Sequence, residues 1–102
     1  MAQTATSLVI IAEFTLTAEG RQAFLDIAYQ DAKDSVANEP GCQQFDVLIN
    51  EEDPLQVTLY EVYDSQHAFE AHLAAPHFAS FRDETPALIA SQTVRRFTRS
   101  ER

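Results

Sequence analysis

Residues 39–81 decide the fold of this chain and read EPGCQQFDVLINEEDPLQVTLYEVYDSQHAFEAHLAAPHFASF. Residues 43–50 alternate apolar and polar side chains, and residues 56–63 are rich in β-branched and aromatic residues, so both segments are predicted to be strands. The acidic segment 51–54 between them ends in proline and favours a turn. The two strands are therefore predicted to form a hairpin.

Two short helices are predicted after the hairpin. Asp64 or Ser65 can cap a helix that runs to about Ala74. Pro76 suits the first turn of a second helix, which extends to about Glu84. This pair of helices carries the histidines considered below.

The flanking segments complete the pattern. Residues 7–16 are predicted to form a strand with apolar side chains on both faces, and residues 93–98 a last strand. Apolar residues recur at helical spacing over 24–36, so a helix capped by Thr17 and ending near Asn38 is expected. The order strand, helix, strand, strand, helix pair, strand predicts an α+β fold. It is the ferredoxin-like split βαβ arrangement with an antiparallel sheet.

Size and charge restrict the function classes. A chain of 102 residues with 45% hydrophobic residues is expected to form a single domain over 1–102, with an ordered core at about 7–98. Sixteen acidic residues against seven basic ones give a net charge of -9. A nucleic-acid partner and an anionic membrane surface are therefore not expected, because both need a basic face.

The single cysteine, Cys42, cannot form an intrachain disulfide and is interpreted as a small buried thiol. The apolar run 8–12 is too short to span a bilayer, and no signal peptide is recognised before it. A cytoplasmic location is therefore expected.

A sheet of this kind carries helices on one face only. Val9, Ile11, Val57 and Leu59 cannot all point at the helices, so an apolar patch is expected on the open face. A second copy of the chain would cover that patch, which predicts a homodimer formed through the open sheet face.

Several motifs of the chain occur together in a known family. They are EPG at 39–41, FDVL at 45–48, LYEVY at 59–63, AFEAHL at 68–73 and PHF at 76–78. In this order they resemble the antibiotic biosynthesis monooxygenase domain family. They are most similar to its small bacterial branch of quinol monooxygenases and autoinducer-2-degrading isomerase proteins. The resemblance covers about residues 7–98.

The resemblance implies a dimeric α+β barrel with a pocket between helices and sheet in each protomer. It implies a cofactor-independent monooxygenase that oxidises a quinol or a related electron-rich phenolic small molecule with O2, without haem, flavin or metal. Haem-degrading members of the family carry histidine, tryptophan and asparagine at about Arg82, His72 and Glu13. This chain has none of the three, so haem is not expected as a cofactor.

His72 and Glu61 are the candidate catalytic residues. His72 lies beside the apolar stripe of its helix, where a neutral imidazole can accept a phenolic or enolic proton near pH 7. Glu61 lies mid-strand between aromatic residues, and it can orient His72 or bind a substrate hydroxyl. The alternatives are a histidine that only bonds a neighbour and a carboxylate with a structural hydrogen bond.

Further residues are candidates for substrate binding. Tyr63 shares a strand face with Glu61, whereas Tyr60 faces the opposite side. The candidate substrate-binding residues are Tyr63, His77, Phe24, Phe78, Phe81 and Arg82. Core packing or dimer contact for Tyr63, core packing for the phenylalanines, and a surface or capping role for His77 stay open. No metal site is expected, because His67, His72 and His77 are spaced by five residues and Pro76 interrupts the helix.

Two other functions remain open. One is an isomerase-type enzyme acting on a small sugar-like phosphate, for which Arg82 is the obvious anchor. The other is a non-enzymatic binding or stress-response module built on the same dimeric barrel. Anaerobic turnover would indicate the isomerase, and a cavity filled by side chains would favour the binding module.

Overall fold

The computed structural model describes residues 7–100, which form a four-stranded antiparallel sheet with three helices. The sheet order is β2-β3-β1-β4. The strands are β1 (Leu8–Leu16), β2 (Cys42–Ile49), β3 (Gln56–Tyr63) and β4 (Ile89–Thr98). The helices are α1 (Arg21–Asn38), α2 (Gln66–Leu73) and α3 (Pro76–Glu84), and a 3-10 turn spans Pro86–Leu88. The predicted ferredoxin-like α+β fold is confirmed. None of the helices in the described range is both long and apolar enough to cross a bilayer.

Two element starts differ from expectation. Thr17 is not the N-cap residue of α1. The helix starts at Arg21, its N-cap residue is Gly20, and no side chain forms a capping hydrogen bond. The Thr17 hydroxyl instead accepts a hydrogen bond from the backbone N–H of Gly20 at 2.9 Å, inside the turn that precedes the helix. Strand β4 begins at Ile89, four residues earlier than predicted. Residues 90–92 are small or polar, so they lack the alternation from which a strand is recognised.

The register of the central strands determines which side chains meet the helices. Val57 pairs with Phe14 and Leu59 with Ala12, on the face that α1, α2 and α3 cover. Val57 and Leu59 belong to the core cluster on the helix side. Of the four apolar residues expected not to meet the helices together, Val9 and Ile11 are the two on the open face, where they pair with Val62 and Tyr60.

The core lies between the sheet and the helices and is largely aromatic. The rings of Phe14, Phe24 and Phe81 pack with centroids 5.0 to 6.1 Å apart. Cys42 is buried, as expected, and burial raises the pKa of its thiol to about 12, which makes the thiolate scarce at neutral pH. This packing leaves only part of the helix-side surface of the sheet accessible, and the candidate site lies there.

Gly41 allows α2 to approach the start of β2 closely. A Cβ atom at residue 41 would lie 2.5 Å from the Cβ atom of Ala68 on α2. Gly41→Ala is therefore expected to lower the free energy of unfolding by about 1–3 kcal/mol through overpacking, measured by urea denaturation. The double variant Gly41→Ala, Ala68→Gly removes the clash. If the double variant loses as much unfolding free energy as the two single variants lose together, the clash is not the cause.

Candidate active site

Helix α2 delivers His72 to the interior. The helix begins where the Ser65 hydroxyl accepts a hydrogen bond from the backbone N–H of Ala68 at 3.1 Å. Two turns later His72 is 2% exposed, and its ring packs against Tyr63 and Phe78 with centroids 5.3 and 5.1 Å away. The expected position of His72, facing the sheet beside the apolar stripe, is the one observed.

The two ring nitrogens of His72 have different surroundings. Nδ1 lies 2.9 Å from Glu39 Oε2 and 3.3 Å from the Ser35 hydroxyl, whereas Nε2 has no hydrogen-bond partner among residues 7–100. A carboxylate only accepts, so the proton is assigned to Nδ1 and a lone pair to Nε2. Burial lowers the pKa of His72 below its usual value and outweighs the contact with Glu39, which raises it. The imidazole is therefore neutral near pH 7.

Glu39 joins two histidines at the C-terminal end of α1. Its Oε2 accepts hydrogen bonds from His72 Nδ1 and from His77 Nε2 on α3. Its other oxygen, Oε1, is buried and unpartnered within the described part of the chain. The sequence motif that contains Glu39 indicated only a turn, so the role of Glu39 as the partner of His72 was missed.

Glu61 and Tyr63 form a second pair on the helix side of β3. The Tyr63 hydroxyl donates to Glu61 Oε1 at 2.7 Å. Burial raises the pKa of Glu61 to about 8 and outweighs this hydrogen bond, which lowers it. Burial also raises the pKa of Tyr63 above its usual value. Glu61 is therefore largely an uncharged acid at pH 7. One expectation was that Glu61 orients His72. The structure shows instead that Glu39 and Ser35 contact the Nδ1 atom of His72.

Asp31 is a buried carboxyl group that the sequence analysis did not single out. It is 3% exposed on α1 and accepts a hydrogen bond from the Ser35 hydroxyl at 3.4 Å. Burial raises its pKa to about 7, and the charge of His77 opposes that shift. Asp31 lies three residues after Ala28 and seven after Phe24, on the apolar stripe of α1. A carboxylate on that stripe was the available signal.

A cavity of about 230 Å3 opens beside these groups. Its polar lining is Asp31, Glu61, His72 and Gln92, and its apolar lining is Ile10, Ala12, Phe14, Leu59, Phe69, Leu73, Phe78, Phe81 and Val94. Leu73 and Val94 are 41% and 53% exposed, which places the mouth between α2 and β4. A wider depression of about 380 Å3 lies at the other end of the sheet, near Glu13 and Asn50, away from the buried acid–base groups.

The residues predicted to bind substrate are only partly brought together. Phe78 and Phe81 line the cavity with His72 and Glu61. Tyr63 lies behind Glu61, and Phe24 is fully buried behind Phe81. His77 faces a depression between α1 and α3. Arg82 is exposed and pairs with Asp83 at 2.9 Å.

Fold and site together define an α+β domain with a small apolar cavity and buried acid–base side chains. The family model described as antibiotic biosynthesis monooxygenase matches residues 7–84, and the chain belongs to this family. Family membership supports a monooxygenase-like enzyme activity and leaves the substrate open. No curated protein matches the chain.

Solved structures of bacterial proteins share the fold. A proposed antibiotic biosynthesis monooxygenase of Nitrosomonas europaea is 23% identical, with a TM-score of 0.88 over 97% of this chain and 95% of that one. A protein of Pseudomonas aeruginosa is 23% identical, with a TM-score of 0.89 over 97% and 99%. A protein of Mycobacterium tuberculosis is 20% identical, with a TM-score of 0.87 over 95% and 98%. At these identities the likeness concerns the fold alone.

Proposed function

We propose that this protein is a cofactor-independent monooxygenase that oxidises a quinol or a related electron-rich phenolic with O2 in the cavity beside His72. The supporting observation is that a neutral imidazole and a neutral carboxylic acid, His72 and Glu61, line one apolar cavity. One group is poised to accept a proton and the other to donate a hydrogen bond.

His72 acts as the general base in this proposal. Its Nε2 has no partner in the described range and carries the lone pair, while Glu39 holds the proton on Nδ1. A phenolic hydroxyl placed at Nε2 transfers its proton to the ring, and Glu39 stabilises the resulting imidazolium. This is the role that a carboxylate plays behind a catalytic histidine in other enzymes.

Glu61 stabilises the substrate oxyanion. Because Tyr63 already donates to Oε1, the proton of the Glu61 carboxylic acid remains available for the cavity. A neutral acid that donates to an oxyanion in an apolar site stabilises the anion more strongly than water does. The phenylalanine walls keep water away from the electron-rich anion.

The substrate supplies all the electrons in this reaction. The phenolate reacts with O2 at a ring carbon that carries hydrogen. One oxygen atom becomes a new ring carbonyl, and the other leaves as water with the phenolic proton and the displaced ring hydrogen. Four electrons pass from the ring to O2, and His72 returns the proton that it accepted. The protein therefore has only to bind, deprotonate and shield the substrate.

The cavity chemistry disfavours the isomerase alternative. A sugar phosphate would bring its dianion close to the carboxyl groups of Asp31 and Glu61. The negative phosphate would repel these groups in their ionised form. Arg82, the expected phosphate anchor, is exposed and already paired with Asp83. Pockets for drug-sized ligands have volumes of roughly 300–1,000 Å3. The cavity volume of about 230 Å3 is smaller and suits a compound of one or two rings.

A substrate screen with and without oxygen tests the proposal. Metal-free protein is mixed with a panel of quinols, naphthols and phenols, and turnover is followed in air and under argon. Turnover that requires O2 and continues in the presence of a chelator is the expected result. A small sugar phosphate is included in the panel, and its turnover at the same rate in air and under argon would indicate an isomerase instead.

We also propose that the open sheet face forms a homodimer. The half-buried residues Ile11 and Tyr60 form its apolar centre, beside Val9 and Val62, which are buried within the chain. Phe97, 43% exposed, lies beside Val9 at its edge. The same face carries the ion pair between Arg95 and Glu13 at 3.0 Å, so it offers both charges to a symmetric partner. Such a self-complementary patch suits a twofold interface.

Phe97→Asp is expected to weaken this dimer by at least about tenfold, because it places a carboxylate where an aromatic side chain would be buried. Sedimentation equilibrium of the wild type and the variant measures the change. Val36→Asp, at an exposed position on α1, is the matched control and is expected to leave the dimer intact. A wild-type protein that is monomeric at high concentration would contradict the proposal.

A further inference from the structure

The side chains of Asp31, His72 and His77 form a cluster of metal-ligating groups in the cavity wall. We propose that a first-row transition-metal dication of the Zn2+ type binds between them and switches off the reaction proposed above. The binding claim rests on this cluster alone, and the inhibition claim rests in addition on the proposed function.

The geometry of the donor atoms supports a metal ion. One donor atom from each of the three side chains lies within 4.8 Å of the other two. Metal–ligand bonds to imidazole nitrogen and carboxylate oxygen are about 2.0–2.2 Å long, so the donors need to close by roughly 1 Å or less around an ion. Two imidazoles and a carboxylate are donors that zinc, cobalt and nickel accept in proteins.

The cluster is supported from behind. The Ser35 hydroxyl lies 3.4 Å from Asp31 Oδ1 and 3.3 Å from His72 Nδ1, so one side chain touches two of the donors. Glu39 contacts both imidazoles, and its Oε1 is buried without a partner among the described residues. A cation between the imidazoles would also be near this carboxylate. Coordination at His72 Nδ1 replaces the contacts of that atom with Ser35 and Glu39. The Glu39 carboxylate then offers a further oxygen ligand to the ion, and Ser35 keeps its hydrogen bond to Asp31 and orients it.

An ion can reach the cluster from the outside. Asp31 and His77 both line a depression of about 320 Å3 between α1 and α3. The same depression is lined by the carboxylates of Asp26, Asp34 and Glu84. Because Asp31 also lines the inner cavity, it lies in the wall that separates the two spaces. The acidic rim attracts cations toward this wall.

Metal binding and proton transfer compete for the same ring. The Nδ1 atom of His72 is the one that faces Ser35 and Glu39, and coordination at Nδ1 moves the ring proton to Nε2. A protonated Nε2 cannot accept the proton of a phenol. An ion in this site therefore stops the reaction, and its release restores His72 as a base.

Binding is tested by titrating metal-free protein with Zn2+ in a calorimeter and with Co2+ by visible absorption. One ion per chain is expected. Loss of a residue that orients a metal ligand typically lowers metal affinity by roughly 10–100-fold, so Ser35→Ala is expected to weaken Zn2+ binding within this range. His77→Ala and Asp31→Asn remove a ligand and are expected to weaken binding at least as much. His67→Ala, an exposed histidine on α2, is the matched control and is expected to bind like the wild type.

The outcomes separate the two claims. Absence of binding, or equal affinity in the wild type, His77→Ala and Asp31→Asn with all three folded by circular dichroism, overturns the site. If Zn2+ binds but O2-dependent turnover is unchanged at saturation, the inhibition claim is overturned. If no substrate is turned over at all, the proposed function fails, while the calorimetric result still decides the metal site.

Discussion

His72→Gln is expected to lower kcat for O2-dependent oxidation by about 10²–10⁴-fold, the range that a positioned general base contributes. The glutamine amide can still donate to Glu39 Oε2, so the hydrogen bond behind the ring is retained. It has no basic nitrogen to accept the substrate proton at the position of Nε2. KM is expected to change little, because the apolar cavity walls hold the ring of the substrate.

His67→Gln is the control for this experiment, since His67 lies on the same helix and is exposed. It is expected to have wild-type kcat and KM. Steady-state kinetics of the two variants with a substrate from the screen, together with their urea unfolding midpoints, separate loss of chemistry from loss of fold. Full activity in His72→Gln would mean that His72 has no catalytic role.

Glu61→Gln is expected to become more stable relative to the wild type as the pH rises. The pKa of Glu61 is raised from 4.5 to about 8, so between these values the folded state holds a proton that the unfolded state has released. The contribution of Glu61 to the free energy of unfolding is fully present below about pH 4.5 and is lost as the pH rises through 8. The difference in unfolding free energy should change by on the order of 1 kcal/mol per pH unit.

Urea denaturation at pH 5, 6.5 and 8 measures this difference. The amide oxygen introduced by Glu61→Gln can still accept the Tyr63 hydrogen bond, so the packing of the pair is preserved. Glu70→Gln, at an exposed position on α2, is expected to show no such trend. A wild-type minus Glu61→Gln difference that is constant across this range would mean that Glu61 is ionised in the fold. It could then not donate a proton to an oxyanion.

The hairpin and the helix pair could be predicted because their signals are local. The β-branched and aromatic residues of 56–63 predicted the bounds of β3, and Pro76 marked the start of α3. The period of two also placed Glu61 and Tyr63 on one strand face, where they share a hydrogen bond. What alternation leaves open is which face of a strand meets the helices. The sequence therefore required part of the apolar set to lie on the open face without saying which part, and Val57 and Leu59 prove to lie in the core.

The partners of His72 could not be found in the same way. Glu39 and His72 are separated by 33 residues, and their contact depends on how the end of α1 packs against α2. Nothing in the local sequence distinguishes a glutamate that precedes a proline turn from one that holds a histidine. The sequence does contain a signal for Asp31, because a carboxylate on an apolar helix stripe needs a partner or a raised pKa.

In the proposed reaction the protein inserts one atom of molecular oxygen into a phenolic ring without a cofactor. Turnover of an active naphthol by chelator-treated protein under 18O2, with the product analysed by mass spectrometry, follows that atom. We expect one 18O atom per quinone product and, in the converse experiment with 18O-labelled water, no label in the new carbonyl at early times. A product without 18O from the gas phase would contradict the proposed chemistry.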